Sequence, residues 1–270
     1  MTLKFTKMNG AGNDFVVLDN RDGSLELTKE QIAKICDRKN GVGADGLLVV
    51  EKPEERTNFR MRYYNADGGE AEMCGNGARC FARFANSLLE KKLDKMTFET
   101  IAGIISAEFD GENVRVGLSE PFDLELDNDL AVDGELLAIS AVNTGVPHAV
   151  VFEEELDDVD VLRVGAAIRH HKYFEPKGTN ANFVKILAPD HIAIRTYERG
   201  VEGETLACGT GVAACAIVHF ELNDGDRPIK VDVRGGKTLE VNFRKTRDGD
   251  FKDVTLLGPA EVEFEGTFDL

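Results

Sequence analysis

No apolar run in the sequence approaches the roughly 20 residues that a membrane-spanning helix needs, and positions 1–8 lack the long apolar core of a secretory signal. Basic residues are scarce: 32 Lys and Arg face 49 Asp and Glu, a formal net charge of −17. A surface of that sign repels phosphates instead of neutralising them, which argues against nucleic-acid binding. Low-complexity tracts and Ser/Pro-rich linkers are missing too. The five cysteines are odd in number and scattered, in a chain too large to need disulfide staples, so at least one is unpaired within the chain. Neither their spacing nor that of the five histidines matches a zinc-ligand pattern, and no metal is expected. What remains is a soluble, cytoplasmic reading, with 270 residues, 42% of them apolar, enough for one large domain or two modest ones.

Short β-rich runs dominate, at 47–51, 59–64, 192–197, 230–233 and 238–243, several with alternating apolar residues. Thr28 and Gln31 form a capping-box pattern that opens a helix presenting Ile32 and Ile35, and 160–171 is a second helical candidate. Both are placed on the outside of sheets. Two further helices are expected directly after Cys74-Gly75-Asn76-Gly77 and Cys208-Gly209-Thr210-Gly211. Ala78, Phe81, Ala82, Ala85 and Leu89 make an apolar stripe in the first, and Val212, Cys215, Ala216 and Phe220 in the second. These two helices read as central.

The two cysteine turns are copies of one pattern, Gly-Glu-X-X-X-Cys-Gly-X-Gly, beginning at Gly69 and recurring at Gly203, about half the chain length later. Upstream, Gly12-Asn13 is answered by Gly145-Val146 at nearly the same offset. An internal duplication follows, giving two similar α/β halves joined near 119–127. The first half is 1–120 with Cys74, rejoined by 259–270; the second is 121–258 with Cys208.

A cysteine that leads through glycines into a helix sits where backbone N–H groups lack helical partners and the helix dipole is positive. That setting favours the thiolate. The same N–H groups, at Gly75, Asn76 and Gly77 and at Gly209, Thr210 and Gly211, can cradle a carboxylate, because glycine admits close backbone approach. If two such halves face one another, one thiolate can remove an α-proton while the opposite thiol returns a proton from behind, inverting the carbon without any cofactor. The α-proton of an amino acid is weakly acidic, so preorganised donors and exclusion of water must carry much of the stabilisation. A lone Cys before Gly-X-Gly is more often a small buried hydrophobe, but repetition at half the chain length favours function. Cys36, Cys80 and Cys215 lack the following turn; Cys80 and Cys215 read as core, and the adjacent His170 and His171 as a solvated pair.

The opening 5–15, Tyr64-Asn65-Ala66-Asp67-Gly68, Met73-Cys74-Gly75-Asn76-Gly77-Ala78-Arg79-Cys80, Pro147-His148, Thr179-Asn180-Ala181-Asn182-Phe183, and Tyr197-Glu198-Arg199-Gly200 with Ala207-Cys208-Gly209-Thr210-Gly211 together resemble the diaminopimelate epimerases. The resemblance runs to about Gly211, with a β-rich tail that suits the second half. It implies a pyridoxal-independent isomerase that interconverts LL- and meso-diaminopimelate in lysine and cell-wall precursor synthesis. The implied fold is α/β (α+β), two pseudo-symmetric domains, each a curved, mostly antiparallel sheet or barrel around a central helix. By motif match, Cys74 and Cys208 become the acid/base thiols, and Gly75, Asn76, Gly209 and Thr210 the nest for the reacting carboxylate. Asn13, Asn65, Asn180, Glu198 and Arg199 become polar contacts to the substrate, with Arg199 offering a charged fork, and His148 and Glu198 lie near the thiols and help set their protonation. Read without the resemblance, Asn13 would equally serve local backbone bonding, Glu198 and Arg199 an exposed turn pair, and His148 a satisfied structural imidazole.

Two positions depart from the family pattern: Val146 stands where many members have Asn, and Gly46 where they have Gln. The thiol chemistry is untouched, but recognition at the far end of the substrate must come from other groups. Three other readings stay open: a related cofactor-independent racemase of another amino acid, a non-catalytic amino-acid-binding protein, and a redox switch in which Cys74 and Cys208 pair. The partner is a small amino-acid substrate, with neither nucleic acid nor membrane, and the assembly to test is a homodimer.

Overall fold

The computed structural model describes all 270 residues, which form two compact units, Met1–Gly117 with Leu257–Leu270 and Leu118–Leu256. The first unit runs β1 (Thr2–Gly10), β2 (Asn13–Asp19), α1 (Lys29–Cys36), β3 (Gly46–Glu51), β4 (Phe59–Asn65), β5 (Glu70–Ala71), α2 (Gly75–Ser87), β6 (Lys95–Thr100), β7 (Gly103–Asp110) and β8 (Asn113–Gly117). The second runs β9 (Phe122–Val132), β10 (Glu135–Asn143), β11 (Pro147–Phe152), α3 (Val161–Arg169), β12 (Asn180–Ala188), β13 (His191–Glu198), β14 (Gly203–Thr205), α4 (Gly209–Leu222), β15 (Ile229–Asp232) and β16 (Thr238–Lys245). Strand β17 (Phe251–Pro259) carries the chain back, and β18 (Glu261–Asp269) belongs to the first unit. No helix is long and apolar enough to cross a membrane.

The duplication read from the cysteine turns is written into the strand pairing. In the first unit β1 pairs antiparallel with β2, β2 parallel with β3, β3 antiparallel with β4, β4 antiparallel with β5 and parallel with β6, and β6 antiparallel with β7. The second repeats that order with β10, β11, β12, β13, β14, β15 and β16. Each sheet is therefore mixed but mostly antiparallel, and the two parallel pairs in each are where a helix crosses over.

Helices α1 and α3 cover one face of their sheets. Thr28 caps α1, its hydroxyl accepting from the Gln31 N–H while the Gln31 side chain accepts from the Thr28 N–H. Ile32, Ile35 and Cys36 then pack on Leu3, Val16 and Leu47. Asp160 caps α3 by its side chain alone, accepting from the Arg163 N–H at 3.1 Å with no reciprocal bond.

Helices α2 and α4 are the inner ones. α2 packs on β1, β2, β3, β4, β7 and β8, and α4 on β10, β11, β12, β13, β15 and β16. Both start one residue after their cysteine, inside the glycine turn and not after it, because Cys74 and Cys208 hold extended backbone angles while their carbonyls already accept from Ala78 N (2.7 Å) and Val212 N (2.8 Å). The α2 stripe is buried except for Leu89, which lies beyond the helix end. Helix α4 is buried over all of 211–219, apolar nearly all round, while Phe220 packs half-buried against Phe243 and Phe251.

Candidate active site

Each cysteine is the N-cap of its unit's inner helix, and neither sulfur caps the helix by a side-chain bond. The N–H groups of the residues that follow therefore find no acceptor within the helix, and they open toward the cysteine end with the dipole's positive pole. No disulfide joins any of the five cysteines. Burial pushes Cys36 and Cys80 up to about 12 and Cys215 well above its ordinary value, so these three stay protonated and inert.

In the first unit Asn13, at the start of β2, brings Oδ1 to 3.6 Å from Cys74 Sγ. Its amide nitrogen donates to Asp45 at 2.5 Å, which turns the oxygen toward the thiol. Asp45 is held in turn by Arg38 (2.7 Å), which also binds Asp14 (2.8 Å), and Lys7 reaches Asp14 at 2.6 Å. Burial alone would raise the Asp14 pKa, but hydrogen bonds from Arg38 and Lys7 outweigh it and hold the carboxyl well below the usual range. Asn76 is buried and points Nδ2 at Asn13 Oδ1 (3.5 Å), because its own Oδ1 accepts from Arg79 (2.9 Å).

Arg79 stands out in the sequence only as part of a motif, yet it is fully buried. It donates to the carbonyls of Gly10, Gly75 and Pro259 at 3.2–3.5 Å. Burial lowers its pKa to about 10, with the nearby Cys80 and Cys74 pulling the other way, so it remains a cation at neutral pH behind the α2 N-terminus. The signal for it in the sequence is a charged residue interrupting an apolar helical stripe. Asn65, at the exposed end of β4, accepts a hydrogen bond from the Tyr63 hydroxyl (2.9 Å). A Cβ on Gly46 would lie 2.6 Å from Tyr64 O and 2.8 Å from the Tyr63 ring, so that ring fills the space a side chain here would need.

In the second unit Cys208 is buried, with Sγ 3.4 Å from the Thr210 hydroxyl. The same hydroxyl lies 2.9 Å from His148 Nε2, and His148 Nδ1 lies 3.2 Å from the Asn182 amide nitrogen. Thr144 donates to the Thr210 carbonyl at 2.9 Å and steadies the turn. His148 is 1% exposed. Burial, and to a lesser degree the charge of Arg199, depress its pKa to about 3, so the ring is neutral at physiological pH. Asn180 is also buried, but its Oδ1 accepts from the Arg199 N–H at 2.7 Å, so it positions the backbone beside Arg199, whose guanidinium donates to Lys177 O (3.0 Å). Glu198 ends β13, half-buried and paired across to Gly203. Val146 lies half-buried before β11 with its carbonyl accepting from Thr144 N.

The structure thus groups Asn13, Cys74 and Asn76 in one unit, and His148, Thr210 and Cys208 in the other. Asn65, Asn180, Glu198 and Arg199 stand at strand ends of their own units. Asn182 and Asp45 are additional members that motif matching alone does not single out.

The model of the diaminopimelate epimerase family matches residues 5–121 and 140–257, and so covers both cysteine turns. The chain belongs to the diaminopimelate epimerase family. The diaminopimelate epimerase of Aquifex aeolicus is 45% identical over 98% of this chain and 97% of its own length, and that of Chlorobaculum tepidum is 44% identical over 97% and 100%. Among solved structures, a phenazine biosynthesis protein of the PhzF family from Bacillus anthracis superposes with a TM-score of 0.76 at 18% identity, each chain covered in full. A hydroxyproline epimerase from Agrobacterium vitis gives 0.72 at 13% identity, over 99% of this chain and 91% of the other. At such identities these two establish the fold alone, the two-unit α/β fold of the epimerase family.

Proposed function

We propose that this protein is a diaminopimelate epimerase, an isomerase that interconverts LL-2,6-diaminopimelate and the meso form by moving a proton at one α-carbon. The observation that carries the reading is the pair of cysteines, each the N-cap of the inner helix of its unit, each followed by the same glycine turn. The reading requires that both sulfurs reach one α-carbon when substrate is bound.

The substrate's reacting carboxylate is assigned to the N–H groups of Gly75, Asn76, Gly209 and Thr210, with the Arg79 charge adding to the first nest. As the C–H bond breaks, its electron pair delocalises into that carboxylate, where these donors gain strength. The proton passes to one sulfur as thiolate; the other, as thiol, gives its proton to the opposite face. Because the two sulfurs exchange roles, the enzyme works in both directions and ends each turnover with the proton on the other side. Asn13, Asn65, Asn180, Glu198 and Arg199 are assigned to polar contacts with substrate, Arg199 as the fork for the distal carboxylate. His148 and Glu198 tune the thiols. The organic chemistry asks for no cofactor. The placement is in the cytoplasm, in lysine and peptidoglycan precursor biosynthesis, with a homodimer as the assembly.

Purified protein incubated with LL-diaminopimelate in deuterated water, without pyridoxal phosphate, should yield the meso isomer carrying deuterium at one α-carbon. Absence of deuterium uptake, or uptake only on adding pyridoxal phosphate, refutes the reading. Replacing either Cys74 or Cys208 by Ala should lower turnover at least about a hundredfold.

A further inference from the structure

Around Cys208 the hydrogen-bond directions are dictated by a group that has no choice. The Ala149 carbonyl only accepts, and it takes a bond from the fully buried Asn182 side chain at 2.9 Å, so the atom facing it is the amide nitrogen. The Thr196 hydroxyl at 2.9 Å then meets the Asn182 oxygen. The amide nitrogen also faces His148 Nδ1 at 3.2 Å, which must be the bare nitrogen of the ring, and the proton is left on Nε2. Nε2–H donates to Thr210 Oγ1 at 2.9 Å. As a thiolate Cys208 has no hydrogen to give, so its 3.4 Å contact with the Thr210 hydroxyl is then a bond donated by Thr210 to Sγ.

We propose that Asn182, through His148 and Thr210, forms a one-way hydrogen-bond relay that presents a fixed donor to Cys208 and stabilises its thiolate, making Asn182 and Thr210 positioning residues. The role of that thiolate in proton transfer rests on the function proposed above; the relay itself does not. Burial and the Arg199 charge keep His148 neutral, so the direction holds through ordinary pH change, and Cys215 on α4, which feels the Cys208 charge, is held protonated by burial. The first unit has a different arrangement: the position matching Thr210 is Asn76, and the group 3.6 Å from Cys74 is the acceptor oxygen of Asn13. The two thiols therefore sit in unlike surroundings despite the duplication.

The direct test is the tautomer of His148 in the unaltered protein, read from its ring nitrogen chemical shifts. A proton on Nε2 is expected; a proton on Nδ1 overturns the proposal. The second test titrates the thiolate absorbance in a Cys74→Ser background, where Cys208 remains and strong burial holds the other three cysteines protonated. A hydrogen bond to an ionised group is worth roughly one unit of pKa or more. Thr210→Val should raise the Cys208 midpoint by about that unit, cutting the thiolate fraction roughly tenfold below the midpoint, and Thr210→Ser should restore it. Asn182→Asp, whose carboxylate would pull the ring proton to Nδ1, should raise the midpoint with Thr210 present and far less with Thr210→Val, because a bare charge would act alike in both backgrounds. An unmoved midpoint in Thr210→Val, or equal effects of Asn182→Asp in both backgrounds, overturns the relay. Deuterium uptake from substrate is scored separately, so these shifts in a protein inactive on diaminopimelate would uphold the relay and refute the function.

Discussion

The Tyr63 ring occupies the space beside Gly46, and the consequence is measurable. A side chain at Gly46 meets a backbone oxygen at 2.6 Å, which cannot yield without parting β3 from β4. Gly46→Gln should therefore lower stability by about 1–3 kcal/mol in urea denaturation, and a Tyr63→Ala change in the same chain should recover only the part owed to the ring. His148 supports a second prediction. Its folded pKa is depressed to about 3 from an ordinary 6.5, so the unfolded chain takes up a proton first as pH falls. Stability is then whole above about pH 6.5 and declines toward pH 3, at roughly 1.4 kcal/mol per unit. Between neutral pH and about pH 5, where most carboxylates are still ionised, the urea midpoint should fall more in the native protein than in His148→Gln. A residual fall belongs to His219, whose pKa burial also lowers.

Inner helices that begin at a cysteine have to press close to the sheet to deliver it, and glycines mark those approaches. A Cβ on Gly211 would lie 2.7 Å from Asn182 Oδ1 and 3.3 Å from His148 Cε1. Gly211→Ala should displace both and cost activity well beyond its effect on stability, seen as a fall in turnover larger than the shift in thermal midpoint. Much at this scale is legible in the chain. The capping box at Thr28 and the apolar stripes of α2 and α4 express local rules, spacing and capping, that neighbouring residues carry in themselves, whereas each inner helix starts inside its glycine turn and not after it as expected. What escapes such rules is whatever depends on distant segments meeting. Asn182 reaches His148 only because β11 and β12 run parallel in the register His148↔Asn180. Arg79 reads as one residue of a helix and is a buried cation because carbonyls from Gly10 and Pro259, at opposite ends of the chain, converge on it.

At the scale of the whole molecule the chain makes each unit from the same order of pairings, yet only the first is finished by residues from the far end of the sequence. Strand β18 lies antiparallel along β1 from Thr2↔Asp269 to Asn9↔Glu261, and Phe268 and Leu270 pack on the cluster that contains Leu3, Phe5 and Ile32. Deleting 261–270 would leave β1 as an unpaired edge and strip one side of that cluster, a loss with no counterpart in 118–256. Amide exchange in the truncated protein should therefore rise along β1, β2 and α1 while β11, β12 and β13 keep their protection. If protection fell evenly through both units, they would be one cooperative block, and the duplication would describe ancestry without describing how the stability is divided.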